Sequence, residues 1–115
     1  MADLLSLGRV NIAAAGTPIV LTTGLSLPAD GLRCQSFQIQ ADPANTAIVY
    51  IGTSALVKAT RVGVLAILPK PAAADTGPFP SQTFSVPFSA NALDINRIYI
   101  DGATNDGVIV SYIQQ

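Results

Sequence analysis

The stretch "INRIYIDGATNDGVIVSYIQQ" (95–115) closes the chain and decides how the rest is read. A run rich in branched and aromatic side chains leads to Asp101, a polar glycine-bearing turn follows, and a second such run finishes the sequence. Asp-Gly and Asn-Asp-Gly suit a tight turn, because these residues tolerate positive φ. The pattern predicts a β-hairpin. Both of its faces are apolar. Ile98 and Ile100 point one way and Tyr99 the other; on the return strand Val108, Val110 and Tyr112 share one face, Ile109 and Ile113 the opposite one. A surface strand of a small domain alternates apolar with polar residues. The second face therefore predicts a cover, either the margin of an opposing sheet or a sister subunit.

Working back from the hairpin, Pro and Gly punctuate the chain at short intervals and helical periodicity is hard to find. "RVNIAA" (9–14) and "TPIVLTT" (17–23) read as the first two strands, the second with Pro18 at a strand start or sheet edge. "RCQSFQIQA" (33–41) alternates cleanly, with Phe37, Ile39 and Ala41 on one face and Gln38 and Gln40 on the other. After the turn "DPAN" (42–45) comes the strongly β-prone "TAIVYIG" (46–52). "TSALVKAT" (53–60) and "ANALD" (90–94) each allow one helical turn. "GVLAIL" (63–68) is apolar throughout and predicts a strand buried on both faces, and "QTFSVPF" (82–88) a strand interrupted by Pro87. The count is about eight strands of roughly five residues, the spacing of a sandwich or jelly roll. The expected fold is an all-β, antiparallel β-sandwich of jelly-roll type, one domain over residues 1–115, with residues 1–8 either a candidate N-terminal arm or an early start of the first strand.

The segment "PKPAAADTGPFPS" (69–81) carries Pro69, Pro71, Pro78 and Pro80. A loop of about a dozen residues without structure of its own is unusual in a compact domain and is often functional. Prolines stiffen it and lower the entropy lost on docking. Phe79, flanked by prolines, either caps the barrel end or meets another chain.

Composition narrows the function. Hydrophobic residues make up 50% and charged residues 11% of the chain, against about 25% charged in a typical domain. Such a surface fits a chain that hides part of itself in an assembly. The formal net charge is −1 and the cations are scattered in sequence, so no nucleic-acid footprint is present. No apolar run reaches the length of a membrane span. The start, "MADLLSLGRVNIAAAG", lacks the basic and apolar regions of a signal peptide. Cys34 is the only cysteine, so no internal disulfide forms.

The residues for catalysis are missing. The chain has no histidine and no glutamate, and its acids, Asp3, Asp30, Asp42, Asp75, Asp94, Asp101 and Asp106, lie mostly in apparent turns, where aspartate caps backbone N–H groups. Cys34 and the serines have no histidine to activate them. "GTSALVK" (52–58) has the wrong glycine spacing for a phosphate loop. "DGATNDG" (101–107) offers Asp101, Asn105 and Asp106 as oxygen ligands but lacks the alternating acids and terminal glutamate of a calcium loop. The expectation is no enzyme, no cofactor and no metal. A structural assembly subunit and a ligand-binding β-module such as a carbohydrate-binding domain remain, the latter weakened by the absence of Trp.

Three stretches carry a resemblance: "NTAIVYIGTSALV" (45–57), "ALDINRIYIDGATNDGVIVSYIQ" (92–114), and "GTPIVL" (16–21) following "NIAAA". Together they resemble small virion proteins of tailed bacteriophages, the head decoration (cement) proteins and related β-modules. The resemblance runs from about residue 9 to 114 and describes a fold more than a role. It implies a jelly-roll or related sandwich, oligomeric at capsid symmetry axes, clamping adjacent major capsid proteins on the phage head surface after synthesis in the host cytoplasm. A trimer is expected ahead of a dimer, with no nucleic-acid or membrane partner. A tail, neck or head-fibre module is the alternative and a glycan-binding module the third reading. The resemblance supplies no site residues. The expected inter-chain contacts come from the sequence: Leu4, Leu5 and Leu7 in the N-terminal segment, Pro71, Phe79 and Pro80 in the proline-rich loop, and Tyr99 and Ile113 on the second face of the closing hairpin.

Overall fold

The computed structural model describes residues 4–23, 33–71, 80–85 and 93–114. Among the described residues nine strands and one short 3-10 turn form two antiparallel sheets. One sheet runs β1 (Leu4–Asn11), β9 (Gly107–Gln114), β3 (Arg33–Ala41), β6 (Ser81–Ser85), with the two-residue β7 (Leu93–Asp94) paired to the start of β3. The other runs β2 (Ile19–Val20), β8 (Tyr99–Asp101), β4 (Val49–Val57), β5 (Val62–Leu68). The pairing is nested: β1 with β9, β2 with β8, β3 with β6, β4 with β5. The β9–β3 and β8–β4 ladders then join these pairs into sheets. The all-β, antiparallel sandwich expected from the strand spacing is the fold observed.

The core follows from strand alternation. Phe37, Ile39 and Ala41 of β3 and Val108, Val110 and Tyr112 of β9 face Val49 and Ile51 of β4, Leu68 of β5 and Ile100 of β8. Ile12, Leu21 and Ile95 fill the ends. Phe37 also stacks on Phe84 of β6, ring centres 5.0 Å apart, a contact worth about 0.5–1.5 kcal/mol beyond the area it buries.

The closing stretch is not a hairpin. β8 and β9 belong to different sheets, and residues 102–106 carry the chain from one to the other. The same turn chemistry serves either purpose, and periodicity does not say which neighbour a strand takes. The corner is tight. A Cβ on Gly102 would lie 3.0 Å from Ile12 Cδ1 and 3.1 Å from the Ile48 carbonyl oxygen. Asn105 adopts φ 71°. Reciprocal backbone bonds tie the corner to the end of β1: Ile12 N–H donates to Asp106 O and Asn105 N–H to Ile12 O, both 2.8 Å.

Other expectations are corrected in detail. Residues 4–8 form the first half of β1, paired with β9, and do not stand away as an arm. Residues 53–57 continue β4, where a helical turn was allowed, and the 3-10 turn falls at Ile95–Arg97, capped by the Asp94 side chain on Asn96 N–H. β5, expected to be buried on both faces, ends its sheet and exposes Val62, Leu65 and Ile67. Ala66 and Leu68 meet the core while the opposite face stays open.

Candidate functional site

The aspartates, the most polar feature of the corner, are spent on the fold. Asp101 is 1% exposed, and its Oδ1 accepts the N–H groups of Gly16 at 3.0 Å and Gly102 at 2.8 Å. Asp106 is buried and accepts the N–H of Thr46, the Thr46 hydroxyl and the N–H of Ala47, at 3.0–3.2 Å. Asn45, also buried, exchanges two hydrogen bonds with the backbone of Gly107. On the surface Arg9 bonds Asp42, the Asn11 side chain at 2.8 Å and the Asn105 carbonyl at 2.8 Å. The Asp42 carboxyl is held below its ordinary range, first by the Ala44 N–H, then by the Arg9 side chain. Each of these three acids closes one chain connection. Among the described residues no three acids or cysteines group to hold a metal, and no buried side-chain polar atom lacks a partner.

Cys34 lies at the start of β3 with no exposed surface. Burial first, and the negative charge of Asp94 second, push its thiol up to about 11. A thiol so placed is a packing group, since the thiolate is the nucleophile.

What remains is surface, and it concentrates on β4 and β5. Val57 and Val62 are direct cross-strand partners near the tip of this hairpin and both are exposed, Val62 by 56%. Leu65 stands out at a register shift in the ladder, 52% exposed, and Ile67 pairs with Tyr50 on the outer side. The geometry depends on two glycines. A Cβ on Gly52 would lie 2.2 Å from the Gly63 carbonyl oxygen, and Gly63, at φ +74°, would place one 2.8 Å from Ala55 C. Residues 53–56 therefore leave the ladder, and Leu56 tucks in beside Gly52. The apolar residues of the tip are turned outward where a flat hairpin would spread them.

Beside this stripe lies an open groove of about 770 Å³, with Ile48 and Tyr50 on one wall and Gly102 of the corner on the other. Lys58, Arg61 and Lys70 line it, three of the chain's six cations, and among the described residues no acid does. Scattered in sequence, these cations flank the strands of the β4–β5 hairpin and line one groove: Lys58 follows β4, Arg61 precedes β5 and Lys70 follows it. Lys58 Nζ donates to Gly102 O at 3.1 Å across the groove.

Of the residues expected at inter-chain contacts, the structure brings Leu4 and Ile113 together and leaves Tyr99 in the other sheet. Leu4 is 75% exposed at the start of β1, opposite Ile113 of β9, which is half-buried. Leu5 and Leu7 are half-buried and pack against the chain's own core. Pro71 is buried, and Pro80 is half-buried with its carbonyl accepting the Ala41 N–H at 2.8 Å. Phe79 lies outside the described residues. Tyr99 is half-buried in the other sheet, beside a small hollow lined by Thr53, Ser54, Asn96 and Arg97. Tyr99 and Ile113 therefore belong to different sheets and not to one second face. Sequence reading missed Val57, Val62, Leu65 and Ile67, because a run of apolar residues does not reveal that its strand ends a sheet.

Comparison with known proteins finds no match: no protein-family model, no curated protein and no solved structure aligns with the chain.

Proposed function

We propose that the chain is a structural virion subunit, a head decoration (cement) protein that bridges adjacent major capsid proteins. The observation that carries this reading is the exposed apolar stripe of β4 and β5, on a domain whose buried polar groups are spent on its own fold. Catalysis asks for an activated polar group in a cleft. Among the described residues the aspartates instead cap turns and the corner and the cysteine packs in the core, which supports a non-enzymatic role.

Strand order supports it as well. With the two-residue β7 set aside, the nested pairs make one long antiparallel hairpin of four strand pairs wrapped around the core. We read that wiring as a jelly roll, an architecture of viral capsid and lectin domains. The stripe is assigned to self-association, because homo-oligomer interfaces are more apolar than other protein surfaces. The oligomer is a trimer ahead of a dimer, seated at capsid symmetry axes. Added contact area across capsomer boundaries then raises the work needed to open the shell.

The test is decoration. Expanded heads of the parent phage, incubated with purified protein, bind it across the whole shell to saturation and resist heat better. Binding of a few copies at one vertex transfers the protein to the tail or neck, and no binding ends the proposal.

A further inference from the structure

We infer that the groove beside the β4–β5 stripe is the seat of an acidic, partly apolar segment of the partner protein. The inference deepens the assembly reading and rests on it: the stripe serves the sister subunit and the groove the partner of different sequence.

Three observations point to that chemistry. The groove carries Lys58, Arg61 and Lys70 with no acid among its described wall residues, in a chain of net charge −1. None of the three has an acidic partner among the described residues, whereas Arg9 is paired with Asp42 and Arg97 lies 3.7 Å from Asp94. The uncharged part of the wall is apolar, Ile48 and the ring of Tyr50 foremost. Such a surface fits carboxylates spaced by apolar side chains, the mode in which clustered cations read acidic motifs.

Arg61 adds a local argument. It holds φ 61°, a left-handed conformation that arginine rarely adopts. Asparagine or glycine would turn the chain there at less cost, so the charge itself is the gain.

The described part of a second copy of this chain is a poor occupant. Among the described residues Asp42 is bonded to Arg9, Asp94 caps the 3-10 turn, and Asp101 and Asp106 are buried. A nucleic acid is poorer still. Affinity for it grows with the number of phosphates neutralised, and three cations around one tyrosine make neither a phosphate track nor a stacking platform.

The experiment uses the full chain and a short fluorescent peptide in which aspartate alternates with leucine, followed by anisotropy at low ionic strength. The peptide binds, the same peptide with asparagine for aspartate binds at least about tenfold more weakly, and added salt weakens binding. Arg61→Asn, chosen because asparagine tolerates the left-handed backbone, and Lys70→Gln each weaken it about fivefold while far-ultraviolet circular dichroism stays unchanged. Equal binding of the asparagine peptide overturns the inference. So does competition by oligothymidylate at equal strength, or variants that bind as the parent does. Sedimentation of the same variants separates the two readings. If Arg61→Asn abolishes self-association, the groove belongs to a second copy and the inference falls. If the parent is monomeric yet binds the peptide with the stated charge dependence, the groove assignment stands and the stripe assignment falls.

Discussion

Asn45 and Gly107 hold each other across 62 residues of sequence: Asn45 Nδ2 donates to the Gly107 carbonyl and Gly107 N–H donates to Asn45 Oδ1, both at 2.8 Å. The side-chain amide thus supplies a rung where β9 begins. Both partners are buried. Asn45→Ala leaves a buried N–H unmet and a carbonyl supported only by Asp42 N–H at 3.1 Å. The expected cost is about 3 kcal/mol. Urea denaturation should show a lower midpoint with an unchanged slope.

Asp106 is the second tie at the same corner, receiving Thr46 and Ala47 at its carboxylate. Asp106→Ala should destabilise by about 3 kcal/mol, because charge-assisted bonds to backbone are lost together. Asp106→Asn keeps one acceptor and should cost about half as much. A chelator should leave the melting temperature of the parent protein unchanged. A chelator-dependent fall would return the corner to the metal reading.

The Arg9–Asp42 contact predicts an acid limb. The Ala44 N–H at 2.9 Å, and then Arg9, hold the Asp42 carboxyl below its ordinary value of 3.8. The unfolded chain therefore binds a proton at a higher pH than the folded one. Its contribution to stability is full above the ordinary carboxylate range and is lost as pH falls through the lowered folded value. Denaturation series through that acid window should show a smaller loss for Asp42→Asn than for the parent. Equal losses would remove Asp42 from the account.

Much of this architecture is legible in the sequence, and the failures have physical causes. The alternation of Phe37, Ile39 and Ala41 against Gln38 and Gln40 places β3 correctly, because one face meets the core and the other does not. The turn role of Asp42, Asp94, Asp101 and Asp106 is equally readable, since short acids beside Gly, Pro or Asn cap backbone N–H groups. The hairpin reading failed because Asp-Gly marks a reversal of direction and says nothing about which sheet receives the next strand. The groove failed to show because Lys70 is separated from Lys58 and Arg61 by the length of β5, and sequence order does not tell that all three line one groove.

Cys34 gives a chemical readout of core integrity. Its thiol is pushed up to about 11 by burial and by Asp94, so the thiolate is scarce at mildly alkaline pH. A thiol reagent at pH near ~8 should react with the folded protein orders of magnitude more slowly than with the unfolded chain. Fast labelling of the folded protein would place Cys34 outside a closed core.

The central claim is that the outward face of β4 and β5 is built for association. Sedimentation velocity over a series of micromolar concentrations, on the parent and on Leu65→Asp, tests it most directly. Leu65 is exposed in the single chain, so the substitution should leave the melting temperature within about 0.5 kcal/mol equivalent of the parent. The account predicts an oligomer, trimer or dimer, for the parent and a folded monomer for Leu65→Asp. A parent that sediments as a monomer throughout, or a variant that assembles as the parent does, would contradict it.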